Sequence, residues 1–551
     1  MRLWLIVLCL LLATVTAQGA TYYVDSTYSE GGNGSEATPW DDLSDITGLV
    51  AGDTVKLKYG SHWREKLTPG TSGTSDTVRI TYEPYGASGG APIIDGSELL
   101  TPGSGNHWTK SASGTNEYYW NATGLTEPQA VWLNDSPQTN GTLGTLADHG
   151  WDWGNNDTLG YNTVYFRDDT GDPDTSGVTV ESGKQSYVID CGSVRNYLTF
   201  TGLDIRRGNG TLMAFISGTG IKVLNCTVQD IVTAGINLGN SSNGYLDSNV
   251  IRNSVKASAN GVSVSGTSSS ATIVHNDISN INTGSTGQGI NIEGTTSGTL
   301  INKNEVYNCW RGILVTGAAD GTTVRNNLLH SSAGSGVGVF LNSTAGTSKV
   351  YGNLIVDCHD AIYASATDGA GSLIYNNTIY NEANANYDGI RVAGTHASMQ
   401  IKNNVVWANN TGTAYALSVA ATGPVLNYNR YHNSGSGNLT YWVATAYSQA
   451  NFANYQTASG QDAQSSVGDP SFVDRPNNKL QLSGGSACVN AGTNLGSPYD
   501  NALSPVSGYS DWWTTATVVD QDNYGSGWEI GTYVYDPAAT SLPVILHQLE
   551  D

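Results

Sequence analysis

Two aspartates occupy equivalent places in the chain, each directly before a short segment of alternating residues. Asp360 opens "DAIYAS" and Asp388 opens "DGIRVAG", and Arg391 follows the second aspartate by three residues. Two carboxyl groups about 5 Å apart can act as acid and nucleophile of a retaining glycosidase, whereas inversion needs about 6.5–9.5 Å. Carboxylates can instead bind a hard cation such as Ca²⁺. An aspartate before Gly-Ile also caps a tight turn by accepting hydrogen bonds from backbone amides.

A sequence repeat in the middle of the chain predicts whether these two aspartates lie close together in the fold. A ladder residue followed by two or three mostly apolar residues recurs every 23 to 28 residues, first as Cys226 and then as asparagine. The asparagines are Asn249, Asn276, Asn304, Asn327, Asn353, Asn377, Asn404 and Asn429. A second pattern places a small residue before a short alternating strand, at Gly235, Gly261, Gly289, Gly312, Gly338, Ala361 and Gly389. Short strands joined by turns predict an all-β protein with a right-handed parallel β-helix.

The repeat allows the positions of side chains to be predicted from their spacing in the sequence, because equivalent residues of adjacent coils lie about 4.8 Å apart. The residues just before the strand are Ala234, Asn260, Gln288, Arg311, Val337, Asp360 and Asp388. The outward residues within the strand are Asn237, Ser263, Asn291, Leu314, Phe340, Tyr363 and Arg391. From Gln288 to Arg391 this face is charged and aromatic, which favours a groove for a linear polymer. We expect five residues to contact that polymer, with the aromatic rings stacking on sugars: Gln288, Asn291, Trp310, Phe340 and Tyr363.

Three functions remain open for this face. In a glycoside hydrolase, Asp360 and Asp388 are the catalytic carboxylates. In a lyase that cleaves a uronate-containing polysaccharide by β-elimination, Asp360, Asp388 and Glu293 bind Ca²⁺ and neutralise the uronate carboxylate. Arg391 or Lys256 then abstracts or stabilises the α-proton, and Tyr363 or His359 is an alternative base. The third function is a non-catalytic carbohydrate-binding or surface protein that uses the same groove.

Segments nearer the N-terminus carry a family resemblance. "GDTV", "PIIDG" and "YLTFTGLDIRRG" resemble secreted right-handed β-helix proteins of the pectin-lyase-like superfamily, most of all the chondroitinase-B and alginate-lyase type. The resemblance implies a polysaccharide lyase with a lysine and an arginine on neighbouring coils, near calcium-binding acids. Lys256 matches that lysine, but the next coil, "QGINIEG", has no arginine, and Arg311 is two coils on. The lyase is our leading prediction, and the hydrolase is the alternative.

The domain organisation follows from these patterns. Residues 1–20 have a positive start, an apolar run and a small-residue end, which is typical of a secretory signal peptide. The β-helix is predicted over residues 21–433, with a Trp- and Asp-rich insertion at 100–184. Residues 434–551 are predicted to close the open end, since an exposed β-helix end is an unpaired edge.

Composition and charge limit the kinds of molecule that the protein can bind. The net charge of -23 disfavours a nucleic-acid partner, which requires a basic face. After the signal peptide, no stretch approaches the ~20 apolar residues of a membrane span. We expect a monomer that is secreted or periplasmic and acts on a polysaccharide. Cys309 and Cys358 hold equivalent positions two coils apart, about 10 Å, beyond disulfide reach, and we expect both to be free thiols.

Overall fold

The computed structural model describes residues 19–537, except residues 30, 104, 193, 282–285, 331–335, 345, 366–370, 383–386, 397 and 506–514. Most of the predicted signal peptide lies outside the described residues. Within them, the α-helix Phe452–Ser459 and the 3₁₀ helices Leu43–Asp45, Gln449–Asn451, Arg475–Asn477 and Gln521–Asn523 accompany an otherwise β structure. None of the helices described is long and apolar enough to cross a membrane.

Three long sheets wind around one apolar core, and each coil in the middle of the β-helix contributes one strand to each sheet. Sheet 1 contains Thr21–Val24, Thr54–Lys58, Ile80–Tyr85, Leu198–Thr201, Lys222–Leu224, Tyr245–Asp247, Thr272–Val274, Leu300–Asn302, Thr323–Arg325, Lys349–Tyr351, Leu373–Tyr375, Gln400–Lys402 and Val425–Asn427. Sheet 2 contains His62–Trp63, Ile93–Asp95, Asp204–Arg206, Thr227–Ile231, Val250–Ser254, Asp277–Ser279, Glu305–Tyr307, Leu328–His330, Leu354–Val356, Thr378–Asn381, Val405–Ala408, Arg430–Asn433 and Ser466–Val467. Sheet 3 contains Tyr187–Asp190, Thr211–Ile216, Ala234–Gly239, Asn260–Ser265, Gln288–Ile292, Arg311–Gly317, Val337–Ser343, Asp360–Ala364, Asp388–Val392, Leu417–Val419, Thr440–Trp442 and Thr445–Tyr447. All neighbours in these sheets are parallel except the last pair of sheet 3, so the predicted all-β parallel β-helix is confirmed.

A column of buried asparagines runs along the turn between sheets 1 and 2. Each asparagine bridges two coils: Asn353 Oδ1 accepts hydrogen bonds from both the backbone N–H and the Nδ2 of Asn327, at 3.0 Å each. The column ends at a buried carboxylate, where Asn429 Nδ2 donates to Asp462 Oδ1 at 3.1 Å. These bonds satisfy buried turn amides that would otherwise be orphaned, which explains why asparagine recurs in the repeat.

The small residues of the second pattern lie where neighbouring coils approach closely. A Cβ added at Gly338 would lie 2.6 Å from the carbonyl oxygen of Ala361, and one added at Gly389 would lie 2.4 Å from that of Ala416. Inside the coils, Cys309 and Cys358 are buried and form no disulfide with each other, as expected from their separation.

The N-terminal insertion forms two antiparallel sheets with their own apolar cluster. One sheet contains Ser97–Leu99, Val131–Leu133, Ser136–Pro137 and Val180–Gly183, and the other contains Trp108–Lys110, Glu117–Trp120, Trp151–Gly154 and Thr163–Arg167. The buried side chain of Arg207 joins insertion to β-helix: its guanidinium pairs with Asp95 at 2.7 Å, with Asp135 at 2.5 Å, and with Glu181.

The β-helix extends further along the chain than the predicted boundary at residue 433. Parallel stacking continues beyond residue 433, since Ser418 pairs with Tyr441 and Arg430 with Ser466. The hairpin Thr440–Tyr447 and the helix Phe452–Ser459 then cover the end of the core, where Trp442, Phe452 and Tyr455 are buried.

The residues after the end cap lie on the side of the β-helix. They include the hairpins Phe472–Asp474 with Lys479–Leu482 and Asn501–Leu503 with Val518–Asp520. Their apolar residues pack against outward residues of sheet 2, namely Leu328, Leu354, Val356, Tyr380, Val405 and Trp407. The prediction that the whole segment 434–551 closes the end is therefore wrong, because this outer face of sheet 2 is itself apolar and is covered.

Candidate active site

The two aspartates lie opposite each other on the outer face of sheet 3. In the parallel pair of strands Asp360–Ala364 and Asp388–Val392, Asp360 is the partner of Asp388 and Tyr363 is the partner of Arg391. The isoleucine two residues after each aspartate is fully buried in the core, which fixes the register of both strands. Adjacent parallel strands lie about 4.8 Å apart, so the fold brings the two carboxyl groups to one place.

A cleft of about 560 Å³ opens beside this pair. It is lined by His359, Asp360, Asp388, Arg391, Thr413, Ala414, Tyr415, Ser418 and Tyr441. Sequence reasoning missed the last five. Ser418 and Tyr441 continue the outward column after Arg391 by one and two coils, so extending the alternating pattern to "YALSVA" and "TYWVA" would have found them.

Asp388 has the environment of a proton donor. Its residue is only 8% exposed, and burial raises the pKa of its carboxyl group to about 6; the neighbouring Asp360 charge adds to the rise. Opposing effects come from the N–H of Tyr415, which donates to Asp388 Oδ1 at 2.5 Å, and from the positive charges of Arg391 and His359. A carboxyl group that titrates near neutrality can hold a proton and release it in a reaction.

Asp360 lies between an arginine and a histidine. Arg391 Nη1 donates to Asp360 Oδ2 at 3.3 Å, and His359 Nδ1 lies 3.5 Å from Asp360 Oδ1. The hydrogen bond to Asp360 raises the pKa of His359 above its ordinary value, against the opposing effect of burial. Arg391 also reaches Asp388, with Nε 4.0 Å from Oδ2. The two carboxyl groups of the pair thus differ in surroundings, with the cations concentrated on Asp360.

The aromatic residues of the outer face stack on each other. The rings of Phe340 and Tyr363 have centroids 4.9 Å apart and planes within 12°. The Arg311 guanidinium covers the other face of this pair at Phe340, 4.7 Å from the centroid, and Arg391 covers Tyr363 at the same distance. The prediction that these rings stack on sugars is therefore wrong, because each ring face already has a partner.

Several predicted residues are too far along the helix axis to join the pair. Lys256 lies in the turn after strand Val250–Ser254, and the register puts its coil five coils before Asp388, about 24 Å away. Arg311 lies two coils before Asp360, about 10 Å away. The lysine–arginine pair implied by the family resemblance is therefore not assembled beside the aspartates.

The predicted polymer-binding residues nearer the N-terminus lie on the same sheet but outside the cleft. Gln288 and Asn291 are three coils before Asp360, and Trp310 is two coils before it. Asn291 Nδ2 donates to Glu293 Oε2 at 3.1 Å. These residues therefore do not line the cleft or reach the acidic pair.

The predicted calcium site is wrong in its composition. Glu293 follows strand Gln288–Ile292, about 14 Å from Asp360, and cannot share an ion with it. Asp360 and Asp388 alone do not fit a calcium ion, because the guanidinium of Arg391 contacts both carboxylates where a cation would bind. Among the described residues, the groups of three ligands close enough to share an ion are elsewhere: Asp148, His149 and Asp168, and Asp500, Asp520 and Asp522.

The fold defines the class of this protein. The family model of the right-handed beta helix region matches residues 212–379 and, in a second overlapping match, residues 288–454. With the three parallel sheets, this makes the chain a right-handed parallel β-helix protein.

Comparisons with individual proteins add three similarities. The chain is 36% identical over 91 residues to lacto-N-biosidase of Bifidobacterium longum subsp. longum; the match spans 15% of this chain and only 6% of that enzyme. The structure of XylC in complex with xylose is similar at a TM-score of 0.59 and 16% identity, covering 76% of this chain and 86% of XylC. The structure of a glycoside hydrolase is similar at a TM-score of 0.51 and 11% identity, covering 75% of this chain and 96% of that one. The two structural similarities concern the fold.

Proposed function

We propose that this protein is a retaining glycoside hydrolase in which Asp388 is the general acid and Asp360 is the nucleophile. One observation carries the proposal: burial raises the pKa of Asp388 to about 6 directly opposite a second carboxyl group that is paired with Arg391. Glycosidases need such a pair, with one carboxyl group protonated and the other ionised.

The chemistry follows from these positions. Asp388 donates its proton to the glycosidic oxygen, so the leaving group departs as an alcohol, while Asp360 attacks the anomeric carbon. A water molecule then cleaves the glycosyl–enzyme ester, with Asp388 acting as the base that takes the water proton. Arg391 stabilises the negative charge of Asp360 before attack and after release. The expected separation of about 5 Å between the carboxyl groups favours retention over inversion.

The arrangement of cations favours a hydrolase over the lyase suggested by the family resemblance. A lyase must neutralise the substrate carboxylate and provide a base for the α-proton. In the cleft, Arg391 is already paired with Asp360, and guanidinium groups are poor bases because they stay protonated in proteins. Lys256 and Arg311 lie coils away. The short match to lacto-N-biosidase supports the same choice.

The proposed substrate is a neutral oligo- or polysaccharide. The protein's charge of -23 repels polyanions, and in the cleft two carboxyl groups are accompanied by a single arginine and a histidine. We further propose that the protein is exported, which fits its N-terminal sequence, and acts as a monomer without a nucleic-acid partner.

The test is a substrate panel with two readouts. The protein is incubated with neutral glycans, including xylo-oligosaccharides and oligosaccharides that contain lacto-N-biose, and with alginate, pectate and chondroitin, with and without EDTA. We expect new reducing ends from a neutral glycan, no ultraviolet absorbance from unsaturated uronates, and the same rate in EDTA. Unsaturated products from a uronate polymer would instead establish the lyase, and binding without cleavage would establish a carbohydrate-binding protein.

Variants then connect turnover to the site. Asp388→Asn and Asp360→Asn should each reduce kcat by at least about 10²-fold, the usual scale of acid–base catalysis. Asp277→Asn is the matched control, since Asp277 also starts a strand of the β-helix but lies on sheet 2 in an earlier coil. An equal loss in this control would mean that the effect is not specific to the cleft.

A further inference from the structure

The residues that hold Arg391 form a continuous stack along sheet 3. Phe340, Tyr363 and Arg391 are register partners in three successive coils. The guanidinium of Arg391 lies 4.7 Å from the centroid of the Tyr363 ring. Because each member comes from a rigid strand, the stack is fixed by the sheet itself and not by a loop.

The guanidinium of Arg311 covers the end of the stack opposite Arg391. Arg311, one coil before Phe340, lies 4.7 Å from the centroid of its ring, and burial lowers the pKa of this arginine below its ordinary value. Cations over ring faces are attracted by the negative face of the ring, and parallel rings at this separation also attract each other. Arg311, Phe340 and Tyr363 together therefore form a scaffold against which Arg391 rests.

The position of Arg391 matters because it touches both carboxyl groups. Its side chain is 42% exposed, so the contacts with Asp360 and Asp388 do not confine it by burial. The distances, 3.3 Å to Asp360 and 4.0 Å to Asp388, are longer than those of a tight bidentate pair. The ring of Tyr363 supplies the missing constraint from the opposite side.

We propose that Phe340 and Tyr363 are positioning residues, which hold the guanidinium of Arg391 against Asp360 and Asp388 and so set the protonation of the acidic pair. The proposal rests on the proposed function in one respect only: the consequence for catalysis requires that Asp388 is the proton donor. The effect on protonation is a property of the free protein and does not depend on any substrate.

The expected direction follows from the groups around Asp388. These are Asp360, His359 and Arg391, with the backbone N–H of Tyr415 and the Tyr415 and Tyr441 side chains of the cleft. The charge of Arg391 lowers the pKa of Asp388, opposing burial and the charge of Asp360. If Arg391 loses its ring partner and samples other rotamers, the pKa of Asp388 rises further.

The first experiment measures this titration without substrate. Aspartate labelled with ¹³C at the carboxyl group is followed by NMR from acid to neutral pH, and Asp388 is assigned from its missing signal in Asp388→Asn. In Tyr363→Leu we expect its pKa to rise by about half a unit, a roughly threefold change in proton affinity. Tyr363→Phe keeps the ring and should leave the titration unchanged.

Two further variants complete the test. Phe340→Leu removes the support behind Tyr363 without touching Arg391 and should give a smaller rise; it also serves if Tyr363→Leu does not fold. Ser263→Ala, in the same outward column three coils before Phe340, is the matched control. An Asp388 titration that is the same in wild type, Tyr363→Leu and Phe340→Leu would overturn the proposal.

Kinetics provide the second readout once a substrate is known. With Asp388 as the acid, the basic limb of the pH–rate profile should move to higher pH in Tyr363→Leu and return with Tyr363→Phe, with KM largely unchanged. A uniform loss of rate at every pH would reveal a merely structural role. If the titration shifts but no glycan is cleaved, the positioning role stands and the proposed function fails.

Discussion

Replacement of Asp388 by asparagine is expected to stabilise the protein at neutral pH while it lowers kcat by at least about 10²-fold. The carboxyl group is almost fully buried, and its pKa of about 6, against an ordinary value of 3.8, means that the folded protein binds this proton more tightly than the unfolded chain. The contribution to stability is therefore complete below pH 3.8 and is lost as the pH rises through about 6.

The size of this effect follows from the same two pKa values. At 1.36 kcal/mol per pKa unit, the wild-type protein loses about 3 kcal/mol of stability from this group between pH 4 and pH 8. The asparagine introduced by Asp388→Asn cannot ionise, and its amide oxygen can still accept the N–H of Tyr415, which in the wild-type protein bonds Asp388 Oδ1 at 2.5 Å. The variant should therefore avoid most of that loss and be more stable than wild type at pH 8.

The assay is urea unfolding of wild type and Asp388→Asn at several pH values, followed by tryptophan fluorescence; melting temperatures replace it where unfolding is irreversible. The difference between the two proteins, and not either curve alone, isolates this group from the other titrating residues. A difference in the free energy of unfolding that is constant from pH 4 to pH 8 would refute the assignment of a raised pKa to Asp388.

Three more predictions concern the packing of the β-helix and its insertion. Asn353→Ala should lower the free energy of unfolding by about 3 kcal/mol, since it removes the side-chain acceptor of the buried Asn327 backbone N–H and the bonds from Asn353 Nδ2 to Val324 O and Asn377 Oδ1; the size is checked by urea unfolding. Arg207→Met should lower the free energy of unfolding by about 3 kcal/mol, because Asp95 and Glu181 would lose one of the two arginines that pair with them and Arg64 would remain; limited proteolysis should then release the insertion first. Cys309, buried and with its pKa raised to about 12, should react with thiol reagents only after denaturation, and rapid labelling of the native protein would contradict its placement.

The β-helix was predictable because its repeat is carried by residues that the fold requires. Buried turn amides need the asparagine column, and close contact between coils needs the glycines. The same register placed Asp360 opposite Asp388 from spacing alone. The C-terminal side cover was missed because nothing in its own sequence says which surface it packs on; the evidence was the row of outward apolar residues on sheet 2.

The site was only partly predictable from sequence. Register gives neighbours along a column, but not how far a long side chain reaches or what it covers. It therefore placed Phe340 and Tyr363 correctly on the outer face, yet could not show that arginines occupy their ring faces. Arg311 was predicted to be catalytic, but it lies two coils before Asp360, and its guanidinium covers the ring of Phe340.

A second acidic pair shows why a raised pKa is not sufficient to define an active site. Asp277 and Glu305 are register partners on sheet 2, and burial raises the pKa of Asp277 to about 6, as it does for Asp388. Yet Glu305 Oε1 is engaged by His330 Nε2 at 3.0 Å. A β-helix desolvates acids wherever its coils stack them, so proton affinity near neutrality is a frequent product of the fold. The pair on sheet 3 differs in two ways: it lines an open cleft of about 560 Å³, and Arg391 contacts both of its carboxyl groups.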